Sequence, residues 1–293
     1  MDNLLTAERT LYRPLECRPD SYQGWYQQGN IRWQSGIIDE ALLCYSRALE
    51  YYPGDYWAWY RAAMAYEKLG YAHEAIDCYA KACVITPDNY WAWYDQGCLY
   101  MERLKLYSQA IACFEKAVAA HPDDYWSNYR LGECWRLLGR HVRAISYYDR
   151  GLDFRPNDYW CWYRRGDALR AWGKPEVALT SYDRAIEAKP ADFWAWYQRG
   201  RTLEELGNYQ EAIDCFEEAL VGIPEDAETW YEQAYCYAKL DNFEEAFNSL
   251  KEAVYLDPET YFPDAEEENC FAPMWRMDRW GELNDIYDKY HAP

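Results

Sequence analysis

The sequence predicts an all-α solenoid of helix-turn-helix units, and three observations carry that expectation. The first is a hexapeptide, Asp55-Tyr56-Trp57-Ala58-Trp59-Tyr60. It returns as Asn89-Tyr90-Trp91-Ala92-Trp93-Tyr94, Asp158-Tyr159-Trp160-Cys161-Trp162-Tyr163 and Asp192-Phe193-Trp194-Ala195-Trp196-Tyr197, with a degraded copy at Asp124-Tyr125-Trp126-Ser127-Asn128-Tyr129. The second is a comb of prolines, Pro19, Pro53, Pro87, Pro122, Pro156, Pro190, Pro224 and Pro258, spaced 34 residues apart with one step of 35. The third is a pair of small-residue columns in the same register, Gly29 to Ala234 in the first half of each unit and Ala41 to Ala246 in the second. A fixed period of this length implies stacked supersecondary units, each contacting its neighbours, rather than one closed globule.

Taken in order, Leu4 to Pro19 keeps Ala7, Leu11 and Pro19 in register, so residues 1–21 read as a decayed unit or cap, bent at Pro14. From Tyr22 on, the proline with an Asp or Asn after it stops one unit and caps the next, and the first helix runs to a glycine such as Gly36, Gly70 or Gly139. Acidic or amide pairs, Asp39-Glu40 and Gln210-Glu211 among them, open second helices, where they match the helix dipole. An aromatic (Tyr45, Tyr79, Phe114, Tyr148, Tyr182, Phe216; Leu250 in the last) and a small residue three positions on then complete the packing face. Past Pro258 the register is lost in the acidic run Pro263 to Glu268. Pro273 opens a stretch with Trp275, Trp280, Leu283, Ile286, Tyr287 and Tyr290 at helical spacing. Residues 259–293 are therefore expected to be an acidic linker and a capping helix over the last repeat.

These columns resemble the tetratricopeptide repeat, whose pattern is a Trp, a Gly or Ala four residues on, a Tyr or Leu, then Ala, an aromatic, Ala and Pro. Seven units from Tyr22 to Pro258 match, and the aromatic cluster is similar to bacterial members, some of which help assemble large complexes. The resemblance implies a right-handed superhelical solenoid whose first helices line a concave groove. Asn128 replaces the Trp of unit four, Asp241 replaces the glycine of unit seven, and one residue is inserted near Lys105. The carboxylate clamp used by some relatives needs Lys and Asn where Tyr60, Tyr94 and Tyr163 stand, which disfavours chaperone C-termini as partners.

At about 100° per residue the two tryptophans of each hexapeptide lie about 200° apart on their helix. Trp59 continues through Ala63 and Tyr66, an intra-unit core stripe, whereas Trp57 continues through Tyr60, Met64 and Glu67 on another face. By the resemblance that face is the groove, placing Trp57, Trp91, Trp126, Trp160 and Trp194 there with Tyr60, Tyr94, Tyr129, Tyr163 and Tyr197. Packing between units is the alternative use of the same residues. Arg130, Arg136, Arg164 and Arg170 recur on or beside it, and residues 125–190 carry twelve Lys or Arg against eight Asp or Glu. They read either as a basic centre for an acidic peptide segment or as plain exposed arginines and internal ion pairs.

The net charge of -20 opposes nucleic acid and anionic membranes as partners. Eleven cysteines without a CxxC pair, and only four scattered histidines, leave neither a disulfide framework nor a metal site, and a reducing, cytoplasmic compartment follows. No phosphate loop, nucleophile elbow or metalloprotease motif is present, so neither catalysis nor a cofactor is expected. The expected function is a non-catalytic scaffold that binds a peptide or helix of a partner protein, as in complex assembly. The rival is a carbohydrate or small-ligand reader using the Trp/Tyr ladder.

Overall fold

The computed structural model describes residues 20–276 and 278–290, so the decayed unit expected at residues 1–21 lies, but for its last two residues, outside the described range. Among the described residues every regular element is helical. The described residues divide into two compact units, one up to residue 140 and one from residue 141. The first contains α1 (Tyr22–Gln34), α2 (Ile38–Tyr51), α3 (Tyr56–Lys68), α4 (Ala72–Ile85), α5 (Tyr90–Glu102), α6 (Tyr107–Ala120) and α7 (Tyr125–Leu137). The second contains α8 (His141–Phe154), α9 (Tyr159–Ala171), α10 (Pro175–Ala188), α11 (Phe193–Glu205), α12 (Tyr209–Gly222), α13 (Ala227–Lys239) and α14 (Phe243–Leu256). It continues through α15 (Pro258–Glu267), three short 3-10 turns and α16 (Gly281–Tyr290).

The helix starts follow from one residue type. Asp55, Asp124, Asp158 and Asp226 each accept the backbone N–H three residues on, at 2.6, 2.6, 2.8 and 2.9 Å, and Asn89 and Asp192 accept the one two residues on, at 3.0 and 3.2 Å. First helices end on a left-handed residue: Gly36, Gly70, Gly139, Gly173 and Gly207 have φ between 68° and 85°. Where the glycine is missing, Lys105 (φ 56°) and Asp241 (φ 59°) adopt the same conformation. The inserted residue near Lys105 is thus absorbed in the turn, at a cost of about 1 kcal/mol for an L side chain.

Within a pair, the helices meet where the second helix's ring lies on the first helix's small residue. Tyr45, Tyr79, Phe114, Tyr182 and Phe216 are fully buried. A Cβ added to Gly166 would sit 2.6 Å from Tyr182 Cε1, so the ring takes the space that any side chain would need.

Two expectations change. The Trp59 column, expected in the core, packs at its edge: Trp59, Trp93, Trp162, Trp196 and Trp230 are only partly buried. Each indole N–H instead donates to the carbonyl of the closing proline six residues earlier: Pro53 (2.8 Å), Pro87 (2.8 Å), Pro156 (2.6 Å), Pro190 (2.7 Å) and Pro224 (2.9 Å). An indole N–H requires an acceptor, so the column clips each inter-repeat turn from the rim of the core. The acidic linker also proves to be helical. Asp257 caps α15 by accepting the Thr260 N–H at 3.3 Å, Pro258 opens it, and Pro263 lies within it. Its apolar side chains outweigh the acidic composition: Phe262 and Ala265 join Phe271, Met274, Trp280 and Leu283 in one buried cluster with Ala234, Phe247, Leu250 and Val254.

Candidate functional site

Each hexapeptide assigns its side chains to different tasks. The aspartate or asparagine caps its helix, and the next aromatic ties that helix to the following one. Tyr56 donates its hydroxyl to Asn89 Oδ1 at 2.7 Å and Tyr90 to Asp124 Oδ2 at 2.9 Å; in the second unit Tyr159 donates to Asp192. One side chain thus accepts both a phenol from the preceding repeat and the N–H of its own helix. Burial raises these phenols above their ordinary pKa and keeps them as donors. Phe193 has no hydroxyl to offer, and Asp226 accepts Thr229 Oγ1 at 2.6 Å instead. The residue reading missed this link, although the Asp/Asn-Tyr pair recurring at the repeat period was its visible signal.

The Tyr60 column, expected to line a groove, is packed into the repeats instead. Tyr60, Tyr94, Tyr129, Tyr163 and Tyr197 stack on Tyr56, Tyr90, Tyr125, Tyr159 and Phe193 with interplanar angles of 11° to 20°. Tyr163 and Tyr197 are buried and the other three partly so, because the same rings also pack on the second helix, as Tyr60 does on Tyr79 and Tyr163 on Tyr182. Tyr60 donates to Asp95 Oδ2 of the next first helix at 2.5 Å. Burial, then the charge of Glu67, pushes the Asp95 carboxyl up to about 6 against the pull of that hydrogen bond.

The first tryptophan is the member left open. Trp57, Trp91 and Trp126 in the first unit, and Trp160 and Trp194 in the second, are between 45% and 54% exposed. Each indole stands edge-on to the buried aromatic before it, with ring centres 4.9 to 5.1 Å apart and interplanar angles of 77° to 85°. A half-exposed indole braced in this way is a rigid apolar contact surface with little side-chain entropy left to lose on binding.

The four arginines do not form a free basic centre. In the first unit Arg130 pairs with Glu102 at 2.9 Å and Arg136 with Glu133 at 3.0 Å; in the second Arg164 pairs with Asp167 at 3.1 Å and Arg170 with Glu205 at 3.8 Å. Composition counted the arginines, but the carboxylates lie three residues away on the same helix or on a neighbouring first helix. Arg201, which sequence reading passed over, joins two first helices. It pairs with Glu204 at 3.4 Å, Glu228 at 3.5 Å and Glu232 at 2.8 Å and donates to Tyr197. Burial raises the carboxyls of Glu204 and Glu232 despite it, with the charge of Glu232 adding to the effect at Glu204 and that of Glu228 at Glu232.

Among the described residues no three His, Cys, Asp or Glu side chains converge on a metal-binding geometry, and the cysteines are free. Burial pushes the thiols of Cys44, Cys83, Cys113 and Cys134 up to about 12, which withholds the thiolate. No described helix is long and apolar enough to cross a membrane.

Paired helices with small-residue crossings and an exposed aromatic face define an interaction scaffold of repeat type. The tetratricopeptide repeat profile matches residues 26–90, 94–159, 163–227 and 197–259, and the chain belongs to that family. No curated protein sequence matches it. Among solved structures, the C-terminal part of a tetratricopeptide repeat protein from Cytophaga hutchinsonii is similar with a TM-score of 0.71 at 17% identity, over 83% of this chain and 99% of that one. YrrB gives 0.58 at 21% identity, over 66% and 100%. MamA from Desulfovibrio magneticus gives 0.54 at 20% identity, over 57% and 94%. At these identities the likeness is one of fold.

Proposed function

We propose that the protein is a non-catalytic scaffold that holds an extended or helical segment of a partner protein against the exposed tryptophans of its first helices. The single observation that carries this reading is the recurrence of a half-exposed, braced indole at one register, Trp57, Trp91 and Trp126 in one unit and Trp160 and Trp194 in the other. Solvent-facing tryptophans at a fixed period cost solubility without adding to the core, and aromatic anchors of this kind dominate protein interfaces. YrrB, similar in fold, is described as having an unusual peptide-binding site, which is in keeping with such a use. Tyr60, Tyr94, Tyr129, Tyr163 and Tyr197 then support the indoles from behind. Arg130, Arg136, Arg164 and Arg170 meet an acidic segment by exchanging their present partners, of which Glu102 and Glu205 are about half exposed. In this reading residues 22–258 are the repeats, 259–293 close the last of them, and the scaffold works in the cytoplasm in complex assembly.

The experiment is an affinity capture with the double variants Trp57→Ser/Trp91→Ser and Trp160→Ser/Trp194→Ser beside the unaltered protein, with partners identified by mass spectrometry. Helicity should be unchanged, because these side chains contribute little to the core, and the captured partner should be lost from at least one variant. Full capture by both would remove the tryptophan face from the function. A glycan panel that quenches the fluorescence of the same residues, with no protein captured, would select the carbohydrate reading.

A further inference from the structure

At one register the second unit builds its own guanidinium sites. Arg165 of α9 donates from Nε to Asp149 at 2.7 Å and from Nη1 to Ser181 Oγ at 2.7 Å, with its guanidinium 5.6 Å from the Trp162 ring centre. One repeat later Arg199 of α11 donates from Nε to Asp183 at 2.7 Å and from Nη1 to Cys215 Sγ at 2.8 Å. The next repeat keeps the receiving groups and changes the arginine. Glu217 stands at the place of Asp149 and Asp183, Ser249 at that of Ser181 and Cys215, and Trp230 at that of Trp162 and Trp196, but Gln233 stands where Arg165 and Arg199 do.

At that place the seam between α12, α13 and α14 opens into a cavity of about 500 Å³ whose walls include Glu217, Trp230, Gln233, Tyr237, Glu245 and Glu252. Ser249 Oγ donates to Gln233 Oε1 at 2.8 Å, both residues being buried, and Tyr237 donates its hydroxyl to Glu217 at 3.3 Å. No lysine or arginine lines this cavity. Glu252, like Glu218 one repeat earlier, occupies the position that Arg47, Lys81, Lys116, Arg150 and Arg184 hold in the preceding repeats, so no cation of that column is present here. The corresponding cavity of the first unit, about 380 Å³ beside Trp59, has its own cation: Lys81 Nζ lies 4.1 Å from the Trp59 ring centre.

We propose that the Trp230 cavity receives the side chain of an arginine from a partner protein, its guanidinium occupying the place that Arg165 and Arg199 fill from within. A planar guanidinium pairs with a carboxylate and lies on an indole at the same time, and Glu217 and Trp230 offer that combination, with Glu245 and Glu252 at the mouth. The net charge of -20 draws a cationic segment toward the protein. Trp230, Gln233 and Tyr237 lie on the side of α13 opposite Glu228, the register of the exposed tryptophans, so this site does not rest on the tryptophan-face reading.

The test titrates the full chain with a capped glycine peptide carrying one arginine and follows the indole N–H resonance of Trp230, identified by Trp230→Phe. The arginine peptide should shift that resonance saturably, while peptides with citrulline or lysine at the same place and free arginine bind more weakly. Gln233→Arg should fill the cavity from within and abolish the response. Should that variant fail to fold, the exposed pair Glu217→Gln/Glu252→Gln is read instead and should weaken binding by about ten-fold or more. The proposal is overturned if citrulline or lysine binds as well as arginine, if free arginine binds more tightly than the peptide, or if a folded Gln233→Arg protein, or the glutamine pair, responds as the unaltered chain does.

Discussion

Asp95 shows how much one residue's position decides in a repeat. It follows the Tyr of the hexapeptide, where other units have Arg61, Arg130, Arg164, Gln198 or Glu232, and it faces the Tyr60 hydroxyl with Glu67 and Tyr79 close by. Its folded pKa, about 6, lies above the ordinary 3.8. A carboxyl raised in this way contributes stability that is full below about 3.8 and is lost as the pH rises through about 6. Asp95→Asn keeps an oxygen to accept from Tyr60 and removes the buried charge. We expect it to raise stability at pH 8 by about 1–2 kcal/mol and to flatten the slope of stability between pH 4 and 6, measured by denaturant unfolding. Unchanged stability at pH 8 would mean that Asp95 is already solvated when ionised.

At the scale of the helix, the joint between repeats turns on a single side chain. Asn89 both caps α5 and accepts the Tyr56 hydroxyl, so the two links are coupled by construction. Tyr56→Phe should cost about 1 kcal/mol and Asn89→Ala about 2 kcal/mol, and the double variant should cost less than their sum by about 0.5 kcal/mol or more. Strict additivity in that cycle would show the hydroxyl bond to contribute nothing. The helices themselves were legible in advance, because prolines, glycines and small residues punctuate the sequence at a fixed period and local chemistry sets each boundary. The roles of the aromatics were legible only in part. Helical angle separates Trp57 from Trp59, but no angle reports what a neighbouring repeat covers, and so it shows neither that Trp59 sits at the rim of the core nor that Tyr163 and Tyr197 are buried. The arginines failed for a related reason: charge is counted along the chain, whereas pairing depends on which carboxylate the next helix brings near. The acidic run after Pro258 misled because its apolar residues, Phe262 and Ala265, are few but fall on one side of the helix.

At the scale of the molecule, a stack of repeats leaves an apolar face at its end, and the second unit fits its final segment to such a face. Phe262, Phe271, Met274, Trp280 and Leu283 are buried against residues of α13 and α14, Lys251 pairs with Glu282 at 2.5 Å, and the Arg279 guanidinium lies 4.4 Å over the Phe247 ring. Burying each such apolar side chain contributes about 1.5–3 kcal/mol before the entropy of ordering the segment is subtracted. Ending the chain after Leu256 therefore removes several kcal/mol from the second unit and bares Phe247, Leu250 and Val254. We expect Tm to fall by about 10 °C, with binding of an apolar dye before unfolding. Ending it after Trp280 removes α16 alone, with Leu283 and Glu282, and should lower Tm by less than half as much. If the segment were instead a docking helix held in reserve for a partner, both truncations would leave Tm unchanged and abolish capture. The order of the two Tm values therefore separates a cap from a ligand arm without knowledge of the partner.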